Sequence, residues 1–401
     1  MQVTPGPIDN AALDAFIELA GVKAWRERLS ALERLATQPT RVGRAAFQRH
    51  VIELTINRLR RIGRNRPASL AECRIATLAT DATLLNDRLS APGRIRLRAA
   101  IRTALEACNT LVPAFHLLRT AALQRARGFE VEFTGLDDEA SFDLLLRRDG
   151  VEAEVVCDVV SAEDGRGVHR GAWSSLVDRI DPELQLWLAG HPGRYLLKMT
   201  LPQGLKDAPE GTALASLYSR ISLMLSSHCR ADHDEAAVLR LDPLMLAAAQ
   251  ASENGLMPRL RNEFGPEAHL AVTRADGGLF VIAARASQEN EVAVAVRRRM
   301  CAVAPARLSG ARPGILAMFV EDTDRTEWRL LRERLDLEGE ARQFLTDPGA
   351  RSVVAVTCSS RLEMFGLTGS DAASDGELRF RNQAHPAAKT VALAPAVLSS
   401  F

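Results

Sequence analysis

ARGFEVEFTGLDDEASFDLLLRRDGVEAEVVCDVVSAEDGRGVHR, Ala126 to Arg170, contains three β-like runs punctuated by Gly128, Gly135, the Asp149-Gly150 pair and Gly165. Asp-Gly between Val/Leu-rich segments is a strong hairpin signal, because both residues tolerate the positive φ that a tight turn of this kind demands. Phe142 to Arg147 and Val151 to Val160 are therefore expected to pair antiparallel. Side chains alternate on a strand, which puts Glu152, Glu154, Val156 and Asp158 on one face and Ala153, Val155, Cys157 and Val159 on the other. An acidic strand face has two explanations. Either it is the wet side of an edge strand, or it holds a cation between Asp143 and Glu154 or Asp158.

Read outward, the same residues resemble a known family. A helix ending in RARGF, then FDLLL, the Asp-Gly turn, EAEVVCDVVSAEDGR and a following VHR are similar to the restriction-endonuclease-like fold, the PD-(D/E)xK nuclease superfamily. In particular they resemble bacterial members with the pattern FDL…VEVECKTVSAxxGRxIHRR. The resemblance spans roughly Thr110 to Leu205, about a quarter of the chain. It implies a mixed-sheet core in which an Asp opening the second strand and an acid on the third bind Mg²⁺, with a Lys two residues later serving the attacking water.

Asp143 matches the first of those positions. Aligning ECKTVSA with VCDVVSA puts Val156 where the metal-binding acid belongs and Asp158 where the Lys belongs. Valine cannot ligate Mg²⁺, which requires hard oxygen ligands. Glu154, one pleat away, is the substitute acid, and Asp143, Glu154 and Asp158 then make three carboxylates that repel one another unless a metal or proton neutralises them. The chain has four lysines, Lys23, Lys198, Lys206 and Lys389. Only Lys198, in RYLLKMTLP, is placed to reach the acids from a neighbouring strand. The resemblance also puts His169 and Arg170 against a scissile phosphate, at a helix start where backbone N–H groups favour anions; a plain surface role is the other reading. Arg194 to Leu201 is expected to complete a β-β-β-α-β core.

Residues 10 to 127 look helical throughout, with Asp9 or Asn10 as the first cap and breaks near Gln38-Pro39, Gly63 to Pro67 and Ala91-Pro92-Gly93. The most basic stretch, RVGRAAFQRHVIELTINRLRRIGRNR, carries Arg41, Arg44, Arg49, Arg58, Arg60, Arg61, Arg64 and Arg66 against Glu53 alone. Arginine forks suit phosphate oxygens, so Arg58, Arg60 and Arg61 are candidate nucleic-acid contacts. The alternative is a solvated helix face paired with acids from elsewhere.

The whole chain of 401 residues has a net charge of +1, so nucleic-acid binding has to come from local patches and not from a global field. Apolar runs are broken by Arg, Asp or Pro, so no membrane span is expected. The N-terminus lacks a basic region followed by an apolar core, and the six scattered cysteines form no CxxC; both point to a reduced, cytoplasmic protein without disulfides. His228, Cys229, Asp232 and His233 are metal-capable, but their spacing matches no zinc pattern and reads as a polar loop.

The fold expected is α/β (α+β): an arginine-rich helical region (1–109), a nuclease-like core (110–206), a further α/β region (207–368) and a loosely ordered tail (369–401). In the third of these, strands at Ala236 to Leu241 and in GILAMFVED and SVVAVTCSS alternate with a hairpin turning at Asp276 to Gly278 and helices at Glu289 to Val303 and Glu327 to Leu345. Glu321 and Asp322 lie at a strand's C-terminal end, a common functional position, with helix capping by Asp322, Thr323 or Asp324 as the simpler role. No P-loop, GxGxxG after a strand or GxSxG elbow is present. Two functional readings follow. One is a catalytically degenerate nuclease-fold protein that binds nucleic acid or a protein partner. The other is an active Mg²⁺-dependent phosphodiesterase with a migrated site, in which Asp143, Glu154 and Asp158 bind metal and Lys198 or His169 assists.

Overall fold

A computed structural model describes residues 10–62, 67–107, 109–207, 211–244, 253–265, 267–367 and 371–399. Asp9, Arg64, Arg66 and Cys108 lie outside the described residues. The chain is mixed α/β, with a helical N-terminal region leading into sheets, as expected.

In chain order the first helices are α1 (Asn10–Ala20), α2 (Val22–Ala36), α3 (Arg41–Arg49), α4 (Val51–Ile62), α5 (Leu70–Arg88), α6 (Ala91–Ala104) and α7 (Val112–Ala126). Then come β1 (Glu130–Glu132), α8 (Thr134–Asp137), β2 (Leu144–Arg148), β3 (Val151–Ser161), α9 (Arg170–Gly190), β4 (Arg194–Leu201), α10 (Thr212–Ser226), β5 (Ala231–His233), β6 (Val238–Pro243) and α11 (Glu253–Phe264). The remainder is β7 (His269–Ala275), β8 (Gly278–Ala286), α12 (Val292–Arg307), β9 (Gly314–Glu321), α13 (Arg325–Glu333), α14 (Asp336–Leu345), β10 (Val353–Ser360), α15 (Arg361–Met364), β11 (Leu378–Arg381) and α16 (Ala394–Val397). Helix boundaries follow local chemistry. Ser69 and Glu72 form a reciprocal capping box at the start of α5, and Ser90 caps α6 just ahead of Pro92.

The chain divides into two compact units, one of residues 1–34, 47–164 and 293–401, the other of residues 35–46 and 165–292. The first unit is built on a six-stranded sheet in the order β1-β2-β3-β9-β10-β11. The hairpin is as expected: Asp149 and Gly150 both take positive φ, and β2 pairs antiparallel with β3 from Leu144↔Val155 to Arg148↔Val151. Beyond β3 the sheet becomes parallel, with β3 pairing β9 from Glu154↔Gly314 to Ser161↔Glu321, and β9 pairing β10. Ala153 and Val155 of β3, Ala317 and Phe319 of β9 and Ala355 of β10 join Phe115, Leu118 and Ala121 of α7 and the helices α1, α2, α4, α5 and α6 in one buried core.

The partner of β3 corrects the sequence expectation. Arg194–Leu201 does not complete this sheet; it is β4, the centre of a separate five-stranded sheet in the order β5-β6-β4-β8-β7 in the second unit. The helix and strand that follow β3 in the first unit are α12 and β9. The first unit's order from α7 is thus α7, β1, α8, β2, β3, α12 and β9, with residues 165–291 between β3 and α12. That second unit has its own apolar clusters, in which Trp173, Leu176, Ile180 and Leu184 of α9 pack with Leu197, Met199, Phe280 and Ile282.

Two further expectations are corrected. The helix read as Glu327 to Leu345 is broken: Leu335 sits at φ +60 between α13 and α14. The tail expected to be loosely ordered carries β11, paired antiparallel to β10, and its Leu393, Ala396 and Val397 are fully buried. Small apolar residues spaced among polar ones mimic a disordered composition when the segment is an edge strand followed by single helical turns.

Candidate functional site

Asp143 lies one residue before β2, whose pairing with β3 begins at Leu144↔Val155, and its amide donates to the Val155 carbonyl at 2.9 Å, a bond outside the register of the ladder. Glu154 and Asp158 share a face of β3, as the alternation in the sequence requires, and Asp143 meets Arg307 of α12 (Val292–Arg307), the helix whose Arg299 meets Asp158. The three acids do not converge. At about 3.3 Å per residue, Glu154 and Asp158 are on the order of 13 Å apart along the strand. Fully buried Val156 stands between those two. Among the described residues no group of three or more His, Cys, Asp or Glu side chains is placed to hold a metal ion.

Each acid instead meets an arginine supplied by α12 or by the loop after it. Arg299 grips Asp158 with two nitrogens, Nη2 to Oδ1 at 2.9 Å and Nε to Oδ2. Arg307 donates from Nη2 to Asp143 Oδ1 at 2.8 Å, from Nε to the Ser141 carbonyl at 2.9 Å and from Nη1 to the Cys157 carbonyl at 3.3 Å. The other Asp143 oxygen accepts from the Cys157 amide at 2.7 Å. Glu154, fully buried, accepts from the Ser309 amide at 2.9 Å and from the Ser309 hydroxyl, with Arg312 Nη1 at 3.5 Å. Arg312 also bonds Glu152, which Arg147 holds from the neighbouring strand. Arg299, Arg307 and Arg312 therefore meet β3 in the reverse of its own order, so α12 runs back along the strand. The expectation of three carboxylates without a cation is corrected: three guanidinium groups neutralise them.

Electrostatics follow burial and pairing. Burial raises the Asp143 carboxyl above the usual aspartate range, against the pull of Arg307 and of the Cys157 amide. The hydrogen bonds that Arg299 donates to Asp158 raise the Arg299 pKa above its ordinary value. Burial lifts Cys157 well above an ordinary thiol, and Asp143 adds to that; Cys358 is pushed up to about 12. Burial therefore disfavours the thiolate form of both.

The other expected site residues fall elsewhere. Lys198 lies on β4 in the second unit, its ammonium 5.9 Å from the centre of the Phe264 ring, so it is on no strand neighbouring Asp143 in the sheet. His169 and Arg170 are in the same unit; His169 is the residue before α9, and its Nδ1 accepts from the Asp207 amide at 3.3 Å. In the basic stretch, Arg58 pairs with Glu72 at 2.9 Å, Arg60 with Asp14 and Arg61 with Glu33 at 3.1 Å. These are the ion pairs of a solvated helix face. Arg220 holds Asp232 at 2.7 Å, so Asp232 does not join His228, Cys229 and His233 as a ligand set. Asp324, not Asp322, caps α13. Asp322, at φ +60, accepts from Ser161 Oγ at 2.7 Å and from Arg49 at 3.1 Å, while burial and the neighbouring Asp322 raise the carboxyl of Glu321.

Arg299, Arg307 and Arg312 were not singled out from the sequence. Their signal was present: from Val292 to Val320 the chain has five arginines and no acid, an imbalance that a helix lying over acidic β3 would resolve. Comparison of the chain with protein-family models, with curated proteins and with solved structures found no match.

Proposed function

We propose that this chain is a nuclease-like scaffold that works by binding nucleic acid and not by cleaving it. The observation that carries the reading is the neutralisation of Asp143, Glu154 and Asp158 by Arg307, Arg312 and Arg299, with Arg312 shared between Glu154 and Glu152. A metal-dependent phosphodiesterase needs carboxylates that converge on a cation and a water it can acidify. Here Glu154 and Asp158 are spread along β3 with Val156 between them, Asp143 precedes β2, and each has an arginine counter-charge. Their role is to clamp α12 to the sheet. An arginine cannot deprotonate to activate water, because its guanidinium keeps its proton across the usable pH range.

The test is to incubate the full chain with supercoiled DNA and with structured RNA, in Mg²⁺ and in Mn²⁺, and to record thermal unfolding with and without each metal. No cleavage and an unchanged melting temperature are expected, because a ligand that does not bind the native state does not stabilise it. Metal-dependent cleavage that disappears in Asp143→Asn, with metal raising the melting temperature of the wild type alone, would establish the phosphodiesterase reading instead.

A further inference from the structure

We infer that the nucleic-acid contact is the exposed arginine row of α6, and not the basic helices α3 and α4 that dominate the sequence. The inference rests on the reading of the chain as a nucleic-acid-binding scaffold. From Leu89 to Leu105 the chain reads LSAPGRIRLRAAIRTAL, with four arginines and no acid. Arg94, Arg98 and Arg102 recur every fourth residue, so they line one side of the helix over about 12 Å. All three are exposed. Between them on the same side stands Ile95, 70% exposed.

Their hydrogen bonds separate these arginines from Arg58, Arg60 and Arg61 of α4. Arg94 uses Nε to donate to the Leu89 carbonyl at 3.0 Å, and Arg98 uses Nε to donate to Asn86 Oδ1 at 3.2 Å. Arg102 Nε lies against Gly21, 3.7 Å from where a Cβ would stand. Among the described residues none of the three has a carboxylate partner. Two acids close to α6 are committed elsewhere: Asp137 accepts from the Ser90 amide at 2.8 Å and from its hydroxyl, and Glu139 pairs with Arg96 on another side of α6. With Nε tethered in Arg94 and Arg98, those two guanidinium groups are held in place while their terminal nitrogens remain for an acceptor, so little side-chain entropy is lost when a planar oxyanion binds. Arg58, Arg60 and Arg61 would each have to break an ion pair first.

Charge complementarity and regular spacing fit a phosphodiester backbone, which presents a negative charge about every 1.7 Å of duplex axis. An anionic membrane is the poorer match. Surface-bound helices bury a broad apolar face in lipid, whereas the apolar side of α6, Leu97, Ile101 and Ala104, is buried in the protein core.

The experiment compares the full-length wild type with Arg94→Ala/Arg98→Ala/Arg102→Ala and with Arg58→Ala/Arg60→Ala/Arg61→Ala. Binding to labelled 30-mer duplex DNA and duplex RNA is titrated by fluorescence anisotropy from low to physiological salt, and vesicles with anionic lipid are assayed in parallel. Since the α6 side chains are exposed, that variant should melt with the wild type. Its salt dependence should be shallower by about 2.7 in log–log slope, because three fewer phosphates are neutralised. The α4 variant should keep the wild-type slope. A wild type that binds one or both duplexes with the same slope and affinity as the α6 variant overturns the inference and leaves the binding reading standing. A wild type that binds neither duplex overturns both, and binding to vesicles in place of duplexes assigns the row to membranes.

Discussion

Glu154 is the carboxylate whose loss should cost most, since its side chain is wholly buried and accepts two hydrogen bonds from Ser309. Truncation to Ala strands the Ser309 amide and hydroxyl, so Glu154→Ala should destabilise the fold by about 2 to 3 kcal/mol. Asp158→Asn should cost about 1 kcal/mol or less, because its partner Arg299 is half-exposed and solvent already screens the pair. Asp143→Asn falls between: an amide oxygen can still accept from Cys157 or Arg307, and the change removes a buried charge that the fold holds at a cost. Urea unfolding at neutral pH would establish this order. The acids alone suggest the reverse sign for Asp158, since three unneutralised carboxylates gain when one is removed. An Asp158→Asn protein more stable than the wild type would show that Arg299 does not offset that repulsion in solution.

At the scale of the element, what could be read in the sequence was what is local. The Asp149-Gly150 turn, the face alternation of β3, the start of β9 and the β7–β8 turn at Asp276-Gly277 rest on a few adjacent residues and the stereochemistry of the strand. The parallel pairing of β3 with β9 was not legible, because the chain leaves β3 at Ser161 and returns at Gly314. Arg194–Leu201 has the same apolar pattern and comes first, so chain order favoured the wrong strand. The site divided in the same way. Which acids share a face followed from the period of the strand; which cation meets each did not, since the pairs are separated by 141, 158 and 164 residues.

Helix α7 was legible as a helix, but not as one with a buried polar side. His116, Thr120 and Gln124, four residues apart, are all at most 2% exposed. The ring of His116 meets the β9 carbonyl of Ala317 through Nε2 at 2.8 Å, and burial holds its pKa down to about 4. The imidazole is therefore neutral in the fold, with the proton on Nε2. On acidification the unfolded chain takes up a proton near pH 6.5 that the native state refuses until near pH 4. Stability is thus present above the unfolded value and is lost as pH falls through that window, by about 2 kcal/mol between pH 7.5 and pH 5. Asp143 and Glu321, whose folded carboxyls are raised, act in the opposite direction, so the contribution is best isolated as a difference. A His116→Gln protein, able to donate to Ala317 without titrating, should be the less stable at pH 7.5. The gap should close by about 2 kcal/mol at pH 5. Parallel denaturation curves that keep a constant gap would place the proton uptake elsewhere.

The two units differ in what holds them. Among the described residues, the core beneath the six-stranded sheet runs from Leu13 to Val155 and resumes at Ile315, while the two clusters of the second unit are drawn from Val168 to Ala284. The segment 165–292 begins and ends at one place: Glu291 N–H donates to the Gly165 carbonyl at 2.7 Å, and a Cβ on Gly165 would lie 2.5 Å from the Val292 Cα. Joining its ends therefore requires only a short connection, and closing a short loop adds little entropy cost. Replacing residues 166–290 by a four-residue Gly/Ser linker should leave a soluble protein that melts cooperatively. In that protein Arg299, Arg307 and Arg312 still meet β3, so Glu154→Ala should destabilise it by as much as in the full chain. Residues 35–46 would lose the backbone bonds that Arg41 and Val42 make to Asp178 and should become sensitive to protease. A shortened chain that is insoluble, or one in which Glu154→Ala costs nothing, would mean that the six-stranded sheet does not hold α12 without the inserted unit.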